Sequence, residues 1–243
     1  MGVRVALVGS QGFVGSAIEH ELGRLDDVEL ISVTRSNFIS ASQNGRYDFL
    51  INTAMPSGRY WASKNPLEDF RESVQKTAWL VNDWNWDKFI QISSISARSQ
   101  LDTVYGRHKA AAEKLCDPDR SLIIRLGPMY GDALSKGVLF DMVNNENVYV
   151  ARESRYCFAP VNWVANWISR NLHTSGLIDL GGKEAICLAE VASAVGSNSK
   201  FYGKIDDQIV SAPIVDAPSA TEVIKFALQL KSVQRCKTGA KSA

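Results

Sequence analysis

The sequence predicts an α/β fold: a doubly wound parallel sheet with a small C-terminal lobe. Three observations predict it. Apolar, β-rich runs alternate with helical stretches along the first half of the chain. Those runs are continuously apolar rather than alternating, as strands buried on both faces are. A glycine-rich turn, Gly9-Ser10-Gln11-Gly12-Phe13-Val14-Gly15, joins the first run to the first amphipathic stretch.

The elements follow in order. Strands are expected at 3–8, 28–33, 49–53, 89–93 and 122–126, with helical patterns at 14–25, 67–85 and 104–116 between them. Past Gly127 the rhythm loosens. A helix at 137–145, a short strand at 148–151, a tryptophan-rich helix at 161–171, a strand at 177–180, and helices at 187–195 and 221–230 are expected there. This divides the chain into a first domain, 1–131 joined by parts of 160–182, and a lobe made of the remainder of 132–243. No internal repeat or low-complexity segment is visible.

Composition bounds the function. A chain of 243 residues can bury a full core. With 27 basic against 26 acidic residues, nothing points to nucleic acid or a membrane surface as the main partner. The first strand is expected from residue 3 with no apolar leader before it, and no apolar run reaches about 18 residues, so a cytoplasmic protein is the expectation. The purely basic stretch 235–243, with Arg235, Lys237 and Lys241, suits a frayed tail. Cys116, Cys157, Cys187 and Cys236 show no paired spacing, and His20, His108 and His173 are scattered, so neither a metal site nor a disulfide framework is expected.

Strand, glycine turn and helix in that order make a site for a dinucleotide pyrophosphate. Glycines let the backbone approach closely, and free amides at the helix N-terminus attract the anion. Such turns also arise for packing reasons alone. Position 35 lies twenty residues past Gly15, where the first ribose of the cofactor is expected, and an acidic residue there would bind the 2′-hydroxyl of NAD. The chain has Thr34-Arg35-Ser36 instead. A guanidinium beside hydroxyls suits a 2′-phosphate and favours NADP, with NAD the alternative, although a solvated arginine has an ordinary surface explanation.

The run Phe89-Ile90-Gln91-Ile92-Ser93-Ser94-Ile95-Ser96 reads as a strand ending in hydroxyls, and Tyr105-Gly106-Arg107-His108-Lys109 follows after a short loop. Tyrosine and lysine at i and i+4 share a helix face. A serine and a tyrosine on one substrate oxygen form a two-donor clamp that stabilises negative charge as hydride leaves or arrives. Bringing a phenol from about 10 to near 7 requires roughly 4 kcal/mol, which a nearby ammonium and a cationic nicotinamide together could supply.

On these residues the chain resembles an extended short-chain dehydrogenase/reductase, a family of NAD(P)-dependent epimerases, dehydratases and reductases of nucleotide sugars built on a Rossmann-type sheet. GSQGFVG resembles its glycine motif and INTA (51–54) its segment beside the cofactor. FIQISSISA resembles the strand with the active-site serine, and YGRHKAAAE the catalytic helix. IIRLGPMYG (123–131) resembles the loop at the nicotinamide, and PVNWVA (160–165) the opening of a helix of the substrate lobe. The resemblance implies that Ser94 positions the substrate oxygen, Tyr105 is the acid/base, and Lys109 holds the nicotinamide ribose and lowers the tyrosine pKa. It implies cofactor contacts from Gly9, Gly12, Phe13, Val14, Gly15, Thr53, Ala54, Pro128 and Met129. It also implies a possible homodimer through 67–85 and 104–116.

The chain departs from the family pattern in places. The loop from Ser94 to Tyr105 is short, Ile95-Ser96 stand where the sugar dehydratases carry an acidic pair, and Asn162 stands where aspartate is commoner. The expectation is therefore an NADP(H)-linked oxidoreductase acting on a carbonyl or hydroxyl carbon, with a nucleotide sugar as the small-molecule substrate. Two alternatives stand beside it: an epimerase with tightly held NAD, and a binder that senses NADP(H) without turnover. Trp79, Trp84, Trp86, Trp163 and Trp167 suit a partner surface or, at their helical spacing, core packing.

Overall fold

The computed structural model describes residues 2–239, with side chains described to residue 234, so the basic stretch 235–243 lies largely outside the described residues. The chain forms two compact units, one of residues up to Leu126 with Val161–Asp179, the other of Gly127–Pro160 with the residues from Leu180 onward. Gly127–Gly131, kept with the first domain in the sequence reading, cluster with the second unit.

The first unit is built on strands β1 (Val3–Val8), β2 (Val28–Val33), β3 (Tyr47–Asn52), β4 (Trp86–Ser94) and β5 (Ser121–Leu126), ordered β2-β1-β3-β4-β5 and followed by Gly176–Leu180. The five pair in parallel, and their registers bring Val8 beside Val33 and Asn52, Asn52 beside Gln91, and Ser94 beside Leu126. Parallel pairing needs crossovers, and crossovers put cover on both faces. Ala6, Leu7, Leu50, Ile51 and Ile90 are accordingly fully buried. One consequence matters most. The chain leaves β1, β3 and β4, three neighbouring strands, at the same edge of the sheet.

The helices are amphipathic segments laid on that sheet. Helix α1 (Phe13–Leu22) lies against the helix Val161–Arg170, where the Asn166 amide donates to Glu21 Oε2 at 3.1 Å. The expected helix at 67–85 is a continuous stretch from Pro66 to Asp83, interrupted by one π turn, Arg71–Gln75. Proline opens it, at a position where its missing N–H is not needed. Trp84 and Trp86 are core residues, Trp86 donating Nε1–H to Leu80 O at 2.9 Å, whereas Trp79 is exposed.

Some elements differ from expectation. β3 and β4 begin earlier, because Tyr47 and Trp86 pair across them. The expected strand at 148–151 does not form: Val148 makes a single bridge to Phe201, and Ala151 N–H already bonds Lys204 O. The short helices Phe38–Ser42, Arg59–Lys64 and Ser96–Ser99 have too few turns to show a period in sequence. The last helix runs Ala220–Gly239, longer than its apolar pattern.

The second unit packs the helices Val138–Asn144 and Leu188–Ala194, with the first part of Ala220–Gly239, around Met142, Val148, Leu188, Val191 and Ala227. Among the described residues no helix is long and apolar enough to cross a membrane.

Candidate active site

The site is built at the strand edge that β1, β3 and β4 share. After Val8 the chain turns through Gly9, whose φ of +87° places it in the left-handed region that side chains rarely adopt. A Cβ there would lie 2.8 Å from Ala54 Cα. The turn is closed by Gly12 N–H donating to Gly9 O at 3.0 Å and by the Thr53 hydroxyl, 2.8 Å from Val8 O and 3.0 Å from Gly9 O. Gly15, in the first turn of α1, backs onto the same carbonyl, and a Cβ there would meet Gly9 O at 2.1 Å. The structure thus brings Gly9, Gly15, Thr53 and Ala54 into one packed knot.

Gly12 faces the other way. It is exposed, its Cβ would meet only Gly9 O at 3.3 Å, and no side chain caps α1. The first-turn N–H groups of a helix lack partners within it. Here Phe13, Val14 and Gly15 carry them beside a glycine that keeps the approach clear. That arrangement fits a pyrophosphate: an anion gains both the amides and the positive helix end.

Past β2, Thr34 and Asn37 tie the turn together, with Thr34 N–H donating to Asn37 Oδ1 at 2.7 Å and Asn37 Nδ2 to Ser32 O at 2.9 Å. Arg35 stands exposed on this braced turn, with no side-chain hydrogen bond or ion pair to another described residue.

β4 delivers the two serines. Ser93 is buried and donates its hydroxyl to Glu113 Oε1 at 2.6 Å, so it is taken up by the core. Ser94, on the opposite face of the strand, is half-buried; its Oγ accepts from Ser96 N–H at 3.2 Å, and its hydroxyl acts on the Tyr105 phenol to lower its pKa. Ser96 itself is buried.

The helix Val104–Glu113 supplies the rest. Thr103 caps it by accepting Gly106 N–H at 3.0 Å. Gly106 lets its first turn sit directly on the preceding chain, since a Cβ there would lie 2.1 Å from Gln100 O and 2.7 Å from Ser96 O. Tyr105 and Lys109 share the inward face, with Lys109 Nζ 5.2 Å from the centre of the Tyr105 ring. Both are buried.

Burial dominates the electrostatics. It raises the Tyr105 phenol above its ordinary value, against the opposing pull of the Ser94 hydrogen bond and the Arg59 charge. It lowers the Lys109 ammonium to about 7, against the attraction of Asp69 and Glu113. The expected lowering of the tyrosine by its lysine is not found in the protein by itself: the charge that opposes desolvation at Tyr105 is that of Arg59, and at both groups desolvation prevails.

Sequence reasoning missed three residues here. Asp69 is fully buried, with Oδ2 2.6 Å from His108 Nδ1; Arg59 lies on the helix Arg59–Lys64. A signal existed for the first. Asp69, Ser73 and Thr77 recur every four residues on one face of the helix from Pro66 to Asp83, and all three are fully buried. A core-facing stripe that is polar where apolar residues are expected marks a site. Thr77 meets Asn52 Nδ2 at 3.4 Å, and Asn52 Nδ2 reaches Gln91 Oε1 at 3.1 Å.

Pro128 and Met129 belong to the second unit, where Pro128 O accepts from Ala159 N–H at 3.0 Å and Met129-Tyr130 pair in parallel with Ala159-Pro160. Among the described residues no three His, Cys, Asp or Glu side chains gather as a metal site.

No protein-family model matches the chain, and no curated protein matches it in sequence. Solved structures do match. A dTDP-4-dehydrorhamnose reductase from Bacillus anthracis, in complex with NADP, is similar with a TM-score of 0.75 at 15% identity, over 93% of this chain and 97% of that one. A UDP-glucuronic acid 4-epimerase from Bacillus cereus, with UDP-glucuronic acid and NAD, gives 0.68 at 16% identity over 93% of each chain. A UDP-glucose 4-epimerase from Thermotoga maritima, with UDP-glucose, gives 0.70 at 14% identity over 96% of this chain and 99% of that one. At these identities the likeness is one of architecture: the chain has the Rossmann-type fold that these nucleotide-sugar reductases and epimerases share.

Proposed function

We propose that the protein is an NADP(H)-dependent oxidoreductase that reduces a carbonyl carbon of a nucleotide sugar, with Tyr105 as the proton donor. The observation that carries this reading is Tyr105 with Lys109 buried beside its ring and the Ser94 hydroxyl acting on its phenol, at the strand edge that also holds an open glycine turn. The structural neighbours, solved with NADP, NAD or UDP-sugars, support it.

When bound, the nicotinamide supplies the hydride. The chain's own residues do the rest. The amides of Phe13, Val14 and Gly15 bind the pyrophosphate, Arg35 pairs with a 2′-phosphate, and Lys109 holds the nicotinamide ribose. Ser94 donates a hydrogen bond to the substrate carbonyl oxygen, and Tyr105 passes its phenolic proton to the same atom as negative charge develops there. The raised phenol favours this direction, because a tyrosine kept protonated is ready as an acid and poorly placed as a base. Reduction is favoured over epimerisation for the same reason, and because Arg35 stands clear for a 2′-phosphate. Exposed Leu67, Phe70 and Trp79 on the helix from Pro66 to Asp83 suit a second copy of the chain.

Tyr105→Phe tests the reading. NADPH binding is expected to persist, seen as a thermal shift. Turnover against nucleotide-sugar ketones is expected to fall about 10²- to 10⁴-fold. If the wild-type protein binds NADPH but reduces no member of the panel, the protein is a binder without turnover. If NAD copurifies and does not exchange, epimerisation replaces reduction.

A further inference from the structure

Glu113 is the last residue of the helix Val104–Glu113, and the functional reading above gives it no part. It is nevertheless buried, and a carboxylate in a protein interior is costly unless it is paired. Its partners come from two neighbouring strands. Ser93 on β4 and Arg125 on β5 stand side by side in the register of the sheet, and both reach Glu113. The Ser93 hydroxyl donates to Oε1 at 2.6 Å. Arg125 donates Nε–H to Oε1 at 2.9 Å and Nη2–H to Oε2 at 2.6 Å. A forked guanidinium and a hydroxyl thus fix the direction of both carboxylate oxygens.

Two features join this cluster to the site. Tyr105, Lys109 and Glu113 follow one another at four-residue spacing and are all buried, so one face of one helix carries all three. Holding Glu113 therefore holds the rotation of Tyr105 and Lys109 about the helix axis. Ser93 directly precedes Ser94, the last residue of β4, so the hydrogen bond from Ser93 also fixes the point at which Ser94 leaves the sheet. The Thr103 cap and the close approach at Gly106 set where the helix begins. Glu113 sets its far end.

We propose that Glu113, held by Ser93 and Arg125, is a positioning residue that sets the rotation of the Tyr105–Lys109 helix against the strand end carrying Ser94. The inference deepens the functional reading above and rests on it for the roles of Tyr105 and Ser94. Glu113 acts through the helix, not on the substrate. An ion pair that only stabilised the fold could be exchanged for apolar side chains of similar volume at little cost. One that sets a rotation loses its direction in the exchange.

The test follows from that difference. Replacing one partner alone would strand the charge of the other, so Ser93→Ala, Glu113→Leu and Arg125→Met are made together. Asp179, the other carboxylate that acts on Arg125, stays paired with Arg98 at 2.7 Å. The expected result is a folded protein whose kcat falls about 10- to 100-fold, with the KM for NADPH unchanged because the glycine turn lies on another helix. Fluorotyrosine labelling gives a readout that needs no turnover. The ¹⁹F signal of Tyr105, assigned from Y105F, is expected to move, while that of Tyr47 at the start of β3 stays. Ser93→Ala alone leaves Glu113 paired with Arg125 and serves if the triple variant does not fold; a smaller fall in kcat and a smaller move of the Tyr105 signal are expected. A folded variant with an unmoved Tyr105 signal overturns the proposal, as does one with full kcat. A wild-type chain that reduces no nucleotide-sugar ketone sinks the functional reading instead, and the Tyr105 signal still decides the positioning.

Discussion

Gly15 and Arg35 show how differently two residues serve one ligand. Gly15 is settled by its neighbours, because any Cβ would enter the Gly9 carbonyl at 2.1 Å. Its role in a cofactor site is therefore inseparable from its role in the fold. Arg35 is exposed on a turn braced by Thr34 and Asn37, so nothing in the fold depends on its side chain. Arg35→Ala is accordingly expected to leave the melting temperature within the range of a neutral surface change. It should weaken NADPH binding about 10- to 100-fold, the loss of one charge-assisted hydrogen bond of about 1.5–3 kcal/mol, and leave NADH binding unchanged. Equal losses for both cofactors, measured by calorimetry, would assign Arg35 to something other than the 2′-phosphate.

The helix Val104–Glu113 is placed by its start rather than by its length. Thr103 caps it, and Gly106 lets its first turn press on Ser96 O and Gln100 O. Both contacts are to backbone, which cannot swing aside. Gly106→Ala would ordinarily strengthen a helix. Here it is expected to destabilise by about 1–3 kcal/mol in urea unfolding, through overpacking, and to reduce turnover further by displacing Tyr105 from Ser94. A stabilised Gly106→Ala protein with full activity would show that the close approach is not needed. The π turn Arg71–Gln75 belongs to this scale too: it lies between Asp69 and Thr77 on the polar face, inside a helix whose one other buried residue is Leu80.

For the whole molecule, Lys109 couples stability to pH. Its folded pKa is about 7, below the ordinary 10.5, so between those values the unfolded chain binds a proton that the folded one has lost. Stability contributed by this site therefore rises with pH through that window. Below about 7 both states carry the charge and the folded state bears its full desolvation cost. Above about 10.5 both are neutral and the cost is gone. Lys109→Met is expected to be more stable than the wild type at pH about 6, the gap narrowing steadily toward pH about 10 as followed by denaturant unfolding. A gap that stays constant across this range would place Lys109 in a solvated site.

Sequence by itself determined the sheet and the local patterns from which the candidate site is built. Short apolar runs rich in β-branched residues and bounded by turn residues read as buried strands from their length and flanks rather than from a period. Glycines at 9, 12 and 15 and a tyrosine and lysine four apart are local patterns that fold in place. That Ser93 and Ser94 face opposite ways follows from the alternation of strand residues, and Ser93 turns to Glu113.

What the tertiary structure decided is everything that depends on packing between distant segments. It sets the Asp69–His108 contact across 39 residues, the approach of Arg59's charge to Tyr105, and the missing strand at 148–151. It also sets the sign of the two pKa shifts. Spacing can put a lysine beside a tyrosine, but only the depth of burial decides whether charge attraction or lost solvation prevails, and here solvation does.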